Sequence, residues 1–205
     1  MKNDEKIVRN ILESFKDKLV SKKQLERTFR DVLQDKYSET LIVNLRKNKD
    51  ILHIFKGYYY VLDSKEREGS YTEYSTNEMV YAILNKLNIK WYLGLYSALE
   101  RNNIIWQGVV NPIILNSNLS GEKKILEIKY RFHKIKREFL DFGHVKITTK
   151  NRITFYYSEP EKTYIDFMYL HKHPPAELSN TKNNEKLRSY LKKYSKNFKK
   201  KVLYS

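Results

Sequence analysis

The sequence predicts an α+β protein that begins with helices closed by a β-hairpin and continues with a mixed α+β domain. Three observations predict this. Apolar residues recur at helical spacing over the first 47 residues. Two β-branched and aromatic runs, residues 51–55 and 58–62, then flank Lys56-Gly57, a hairpin signal. Farther on, apolar and polar residues alternate strictly over residues 126–133, which is typical of a strand with one buried face.

The first 63 residues have the pattern of a compact DNA-binding module. Residues 4–19 predict one amphipathic helix that runs through Leu19. Ser21 is expected to cap a second helix and Ser38 a third. The side chains expected to point inward are Leu25, Phe29, Val32 and Leu33 in the second helix and Leu41, Ile42 and Leu45 in the third. Three helices followed by a hairpin predict a winged helix-turn-helix domain over residues 1–63.

The rest of the chain predicts a second domain over residues 71–205, after a charged linker at residues 63–70. Ser75-x-x-Glu78 is a capping-box pattern at the start of a helix. Residues 91–101 predict another helix. Ser158-x-x-Glu161, with Pro160 in the first turn, predicts a second capping box. A basic C-terminal helix is expected over residues 183–202.

The charge of the chain indicates a polyanionic partner. Forty Lys and Arg residues stand against 24 Asp and Glu, a formal net charge of +16, and residues 171–205 alone carry a net +8. Such a balance favours nucleic acid over an anionic membrane surface. The competing interpretation is a general Lys-rich usage, but the clustering of half the excess in the tail argues against it.

Several classes of site are excluded by composition. The chain has no cysteine, which excludes disulfides, Cys-ligated zinc and thiol catalysis. No apolar run approaches the roughly 18 to 20 residues that a bilayer span needs, and the start of the chain lacks the apolar region of a signal peptide. We therefore expect a cytoplasmic protein with no membrane association and no cofactor.

Several short motifs, in this order, resemble the AbiEi-type antitoxin family of type IV (abortive-infection) toxin–antitoxin systems. They are a Gly-Tyr-Tyr strand at Gly57, a Ser-Ala-Leu helix at Ser97 and a Pro-Glu-Lys-x-x-x-Asp helix from Pro160 to Asp166. The resemblance implies a DNA-binding repressor of its own operon whose second domain counteracts a nucleotidyltransferase toxin. The chain departs from the family pattern at Asn48-Lys49-Asp50, where a small residue and a Gly are usual, and the tail beyond Pro175 is outside the match.

A protein that binds duplex DNA needs cations to neutralise the phosphates and hydrogen-bonding groups to contact the base edges. Asn44 and Arg46 of the third helix are the candidates for base contacts, since Asn pairs with adenine and Arg with guanine. The remaining candidates, which would hold phosphates or flank the bases, are Lys22, Lys23, Arg27, Ser38, Thr40, Lys47 and Lys56. The alternative is that these side chains are the solvated face of a small helical domain.

The role of the tail and the function of the second domain each leave alternatives open. Lys192, Lys193, Lys196, Lys199 and Lys200 either contact nucleic acid or form the solvated face of a helix packed on the domain. A structural RNA-binding module led by this tail is one alternative function. Another is a nuclease or nucleotide-transferring enzyme that holds Mg²⁺ with Glu159, Glu161 and Asp166, although the first two also suit the start of a helix.

The sequence thus favours a non-enzymatic regulator over a catalyst. Its expected partners are the double-stranded DNA of its own operator and the cognate toxin. A monomer or weak dimer is expected, because no apolar heptad repeat stands out.

Overall fold

The computed structural model describes residues 2–34, 40–69 and 71–204, and its fold is α+β as predicted. The chain forms two compact units, Met1–Ile83 and Leu84–Ser205. The boundary between these units falls within a helix, whereas the sequence places the domain boundary at residues 63–70. Among the described residues, no helix has the length and apolar character needed to cross a membrane.

The first unit combines helices with a small antiparallel sheet. In chain order its elements are α1 (Lys2–Ser14), β1 (Leu19–Ser21), α2 (Lys22–Leu33), α3 (Thr40–Lys47), β2 (Ile51–Phe55), β3 (Tyr58–Val61) and α4 (Ser64–Glu68), and α5 (Thr76–Lys86) spans the boundary. The strand order is β1-β3-β2, and both pairings are antiparallel. The core of this unit is formed by α1, α2, α3 and the sheet, through residues such as Leu12, Leu25, Phe29 and Ile51.

Two predictions about the first helices were wrong. The first helix ends at Ser14, and Leu19 instead pairs with Tyr60 in the sheet, where its side chain is buried. Pairing with β3 therefore overrides the helical spacing of Leu19. Val32, predicted to point inward, is 52% exposed.

Residues 63–68 of the segment predicted to be a linker form α4 and its N-cap. Asp63 caps α4 by accepting a hydrogen bond from the backbone N–H of Glu66 at 2.9 Å, and the Glu66 carboxylate accepts one from the N–H of Asp63 at 3.0 Å. Lys18 donates to Asp63 at 2.8 Å and to Glu66 at 2.9 Å. These charge-assisted bonds fix a charged stretch whose composition alone indicates a loop.

The second unit is built on a six-stranded mixed sheet of order β6-β7-β5-β4-β9-β8. Its elements are β4 (Trp91–Leu93), α6 (Tyr96–Arg101), β5 (Ile113–Asn116), β6 (Gly121–Ile125), β7 (Ile128–Lys134), β8 (His144–Thr148), β9 (Thr154–Ser158), α7 (Pro160–Tyr169), α8 (Glu185–Leu191) and α9 (Lys196–Tyr204), with 3₁₀ turns at Arg137–Leu140 and Ala176–Asn183. Strands β8 and β9 form an antiparallel hairpin around Lys150-Asn151. The core contains Tyr92, Leu115, Ile165, Phe167 and Leu187.

The prediction of one helix over residues 91–101 was wrong, because this stretch holds a strand, a bend and a short helix. Gly94 separates β4 from α6, and a Cβ built there would lie 2.6 Å from the Leu115 side chain. Leu95 follows with a φ of +52°, outside the helical region. The close approach of Leu115 explains why a glycine occupies the bend.

The start of α7 also differs from its prediction. Its N-cap is Glu159, which makes no side-chain capping bond, so Ser158 and Glu161 do not form a capping box. The Ser158 hydroxyl instead lies 2.7 Å from that of Thr163, and Glu161 accepts from the Asn184 amide at 2.6 Å. Pro160 does occupy the first turn, as predicted.

The single basic helix predicted over residues 183–202 is two helices, α8 and α9. Between them the chain turns at residues 192–195, and Ser195 begins α9 by accepting a hydrogen bond from the N–H of Phe198. Tyr194 in this turn stacks on Phe139 with ring centroids 4.1 Å apart. Leu191 and Tyr194 are both buried, so the chain stays packed on the core through the turn.

Candidate nucleic-acid interface

The outer face of α3 carries three of the predicted DNA-contacting side chains. Thr40, Asn44 and Lys47 are exposed and lie at spacings of four and three residues, so they share one face of the helix. Val43, which the sequence analysis did not consider, lies on the same face and is 46% exposed. The opposite side of α3 is buried through Ile42 and Leu45. The exposed face of the helix therefore presents a hydroxyl, an amide, an ammonium group and an apolar side chain.

Arg46 is exposed but lies on the flank of that face. It is two residues from Asn44, and a rotation of about 200° separates the two side chains around the helix. It lies close enough to His53 of β2 to affect the titration of that ring. Partial burial and the Arg46 charge together lower the pKa of His53. Arg46 thus extends the cationic surface toward the hairpin instead of standing beside Asn44.

The cations of α2 are exposed and only weakly paired. Lys22 lies 3.4 Å from Glu26 and Arg27 lies 3.8 Å from Asp31, both four residues farther along the helix. Exposed pairs of this kind contribute about 0.3 to 0.5 kcal/mol each, so they are readily exchanged for a phosphate. Lys23 is exposed as well.

Local hydrogen bonds fix the start of α2. Ser21 caps α2 as predicted, since its hydroxyl accepts from the N–H of Gln24 at 3.2 Å and the Gln24 side chain accepts from the N–H of Ser21 at 2.8 Å.

The hairpin presents Lys56 at its tip. Phe55 pairs with Tyr58, and the two residues between them have positive φ angles, +53° at Lys56 and +74° at Gly57. Both positive values describe a type I′ turn, which matches the twist of the two strands. The carbonyl of Gly57 accepts from the N–H of Lys22 at 2.8 Å, so the turn is tied to the start of α2. Lys56 is exposed. Ser38, the predicted cap of the third helix, lies outside the described residues.

The lysines of the predicted cationic tail are distributed over the turn at residues 192–195 and over α9. Lys192, Lys193, Lys196 and Lys200 are exposed and Lys199 is half-buried. Lys193 lies over the Phe142 ring, 4.8 Å from its centroid. The tail helices pack on the domain through Leu187, Leu191 and Val202. This packing is what we expect if the lysines form the solvated face of helices that lie on the domain.

Each of the three carboxylates of the alternative metal site is held by its own partners. Glu159 accepts hydrogen bonds from Lys186, at 2.9 Å, and from Tyr190. Glu161 binds Asn184, and Asp166 is paired with Lys162. Across residues 2–34, 40–69 and 71–204, the side chains of Asp, Glu and His do not gather in threes as a metal site would require. His171 follows the end of α7 and has a φ of +55°.

A buried polar cluster in the second unit was missed by the sequence analysis. Lys162 and Asp166 are 0% and 1% exposed, and they form an ion pair one helical turn apart on α7. The Tyr92 hydroxyl donates to Asp166 at 2.8 Å and accepts from Lys162 at 2.7 Å. Burial lowers the pKa of Lys162 and raises those of Asp166 and Tyr92.

The His144 ring completes this cluster against Tyr92, with centroids 4.2 Å apart. Burial, with the Lys162 charge, lowers the pKa of His144 to about 3. Lys162, Asp166 and Tyr92 are at most 1% exposed, so these polar groups belong to the interior of the fold and do not offer a surface to a ligand. The i, i+4 spacing of Lys162 and Asp166 was the one signal available in the sequence.

Comparison with protein-family models gives no match, and comparison with curated proteins gives none either.

Proposed function

We propose that the first unit is a winged helix-turn-helix domain that binds duplex DNA, with α3 in the major groove and the β2–β3 hairpin as the wing. The order α1-β1-α2-α3-β2-β3 and the strand order β1-β3-β2 support the proposal, because they are the order and pairing of that fold. The observation that carries it is the two-sided character of α3. Its buried side fixes the helix, and its exposed side offers Thr40, Asn44 and Lys47.

The roles of the residues follow from their positions. Asn44, on the exposed face of α3, suits a bidentate contact with adenine, and Val43 on the same face suits a thymine methyl group. Arg46 on the flank reaches a guanine edge or an adjacent phosphate. Lys22 and Lys56, whose backbones are joined through Gly57, grip the sugar-phosphate backbone.

We further propose that the chain represses its own operon and acts as the antitoxin of a type IV toxin–antitoxin pair. The support is the order of the three motifs that resemble the AbiEi-type family, of which two lie in the second unit. Lys162 and Asp166 of the third motif are the buried pair of α7, so this motif serves the fold of the domain assigned to toxin neutralisation.

Fluorescence anisotropy with a duplex from the protein's own upstream region tests DNA binding. An Asn44→Ala/Arg46→Ala variant should bind at least about tenfold more weakly, since each good base contact is worth about 1–3 kcal/mol. The matched control is Arg9→Ala/Asn10→Ala, which removes the same residue types from exposed positions on α1 and should bind like the wild type. Contact with about five phosphates predicts a log–log salt slope of about −4 to −5.

Wild-type affinity in the α3 variant, or binding that does not respond to salt, would contradict this assignment. Neutralisation is tested separately by co-expressing the chain with the nucleotidyltransferase encoded beside it. The α3 variant should still rescue growth, because neutralisation is assigned to the second domain. Loss of rescue in that variant, with the protein folded and present, would overturn the division of roles.

A further inference from the structure

A cationic cavity lies at the C-terminal end of α7, within the second unit. Its volume is about 580 Å³, within the range of about 300–1,000 Å³ that is usual for small-molecule sites. Lys172, Lys182 and Lys201 line it from three separate segments, together with His171 and His173. The lining residues that the structure describes include neither Asp nor Glu. The cavity therefore concentrates positive charge without an internal counter-ion.

The cationic character exceeds what the end of α7 requires. The helix closes with two backbone hydrogen bonds, from the N–H of His171 to the Met168 carbonyl and from the N–H of Lys172 to the Phe167 carbonyl. The ammonium of Lys201 lies 3.5 Å from the same Met168 carbonyl. A helix C-terminus carries the equivalent of about half a negative charge. One lysine offsets that, so the charges of Lys172 and Lys182 are surplus.

Lys172 is held among other cations. Its pKa is lowered by partial burial and by the charge of Arg131 on β7. The guanidinium of Arg131 is already paired with Glu122 at 2.6 Å. Across the described part of the chain, no carboxylate forms an ion pair with Lys172, Lys182 or Lys201. A bound anion would relieve the repulsion between Lys172 and Arg131.

The remaining wall of the cavity is apolar. Tyr164 and Met168, both largely buried, line it from α7, and Pro174 and Pro175 line it from the segment that follows. The hydroxyl-bearing Ser179 lies on the 3₁₀ turn. The partly exposed proline rings offer an apolar surface for a heterocyclic base, and ammonium groups bind phosphate oxygens. The two chemistries occur together in a nucleoside phosphate.

We propose that this cavity binds a nucleoside phosphate, with the base on the wall formed by Pro174 and Pro175 and the phosphates on Lys172, Lys182 and Lys201. The ligand is either a free nucleotide or the phosphorylated terminal nucleotide of a nucleic-acid strand. The inference goes beyond the DNA-binding role of the first unit and uses none of its residues.

Isothermal titration calorimetry on the full chain, without DNA, tests the proposal. ATP should bind saturably with a Kd below about 1 mM. Inorganic tripolyphosphate should bind at least about fivefold more weakly than ATP, because it lacks the base that contacts the apolar wall. A short single strand with a 5′-triphosphate separates the two sources. Binding as tight as that of ATP would assign the site to a strand end, and weaker binding would assign it to a free nucleotide.

Two neighbouring lysines of α9 give a matched pair of variants. Lys201→Gln removes a cavity cation and should weaken ATP binding at least about tenfold, as should Lys172→Gln. Lys200→Gln removes an exposed charge of the same helix that does not line the cavity, and it should change the affinity by less than about twofold. Circular dichroism and thermal melts verify that each variant is folded.

Three results would overturn the proposal. The first is no saturable heat from ATP with the folded wild-type chain. The second is equal weakening by Lys200→Gln and Lys201→Gln, which would indicate general surface attraction. The third is a lower melting temperature in Lys201→Gln with unchanged ATP affinity, which would mean that the lysine serves only the carbonyls that end α7.

Discussion

Replacement of Lys162 by Met should destabilise the second unit strongly at pH 7 and much less at pH 5. Met retains most of the volume of the lysine stem, but the Asp166 carboxylate then keeps only the hydrogen bond from Tyr92, in a site that is 1% exposed. A buried anion without its partner takes up a proton, so the cost cannot exceed that of protonating the carboxyl group.

The magnitude follows from the ordinary pKa of an aspartate, 3.8. At 1.36 kcal/mol per pH unit, protonation costs about 4.4 kcal/mol at pH 7 and about 1.6 kcal/mol at pH 5. The sign is set by the variant's folded state, in which burial raises the Asp166 pKa above the unfolded value. The folded state then binds more protons, so the variant loses stability as the pH rises above about 4.

Tryptophan fluorescence in a urea titration provides the assay. The chain has two tryptophans, Trp91 and Trp106, and both lie in the second unit. Trp91 is buried and Trp106 is 98% exposed, so the change on unfolding comes from Trp91, next to Tyr92. The control is Lys186→Met, which breaks the half-exposed pair with Glu159 and should cost less than about 1 kcal/mol.

Two outcomes would refute this reasoning. One is a loss in Lys162→Met no larger than that in Lys186→Met, which would mean that the pair contributes little. The other is an equal loss at pH 5 and pH 7, which would mean that Asp166 is not left as an unpaired anion. A Lys162→Met/Asp166→Leu variant should recover most of the lost stability, since replacing both partners by apolar groups removes the orphaned charge.

Two further predictions concern His144 and the hairpin turn. Burial lowers the pKa of His144 to about 3, so between pH 6.5 and pH 5 the His144 ring is protonated only in the unfolded chain, which removes about 2 kcal/mol of stability. His144→Phe should abolish that loss in urea titrations at pH 7 and pH 5. An unchanged pH dependence would contradict the assignment. Gly57→Ala should cost about 1 kcal/mol, because φ is +74° and no atom lies within 4 Å of the added Cβ, so only backbone strain is introduced. Lys56→Asn at the neighbouring positive φ should not destabilise the hairpin, and urea titrations followed by far-ultraviolet circular dichroism should separate the two variants.

Local signals in the sequence were sufficient where neighbouring residues determine the structure. Ser21 caps α2, Ser75 bonds with Glu78, and Lys56-Gly57 forms the turn, and each of these depends on residues at most three positions apart. The same holds for the exposed face of α3, since Ile42 and Leu45 define its buried side.

Predictions failed where distant residues decide the structure. Leu19 continues the helical spacing of the apolar residues before it, yet it pairs with Tyr60 in the sheet. From the sequence alone, Gly94 is compatible with a helix, and only the packing of Leu115 against it shows that it lies in a bend. The cluster around Lys162 depends on Tyr92, which is 70 positions away, so its chemistry becomes visible only once β4 and α7 are packed together.

The interior position of β4 sets the order in which the second unit can be assembled during synthesis. Leu93 pairs with Tyr157 on one side, whereas β5 covers the other side soon after β4 has been made. The hairpins β6–β7 and β8–β9 close from neighbouring residues, but the parallel pairing of β4 must wait for a partner translated much later. Long-range pairings of this kind slow folding. Until Tyr157 has left the ribosome, β4 has an unpaired edge, and the nascent chain is then most vulnerable to aggregation and to proteases.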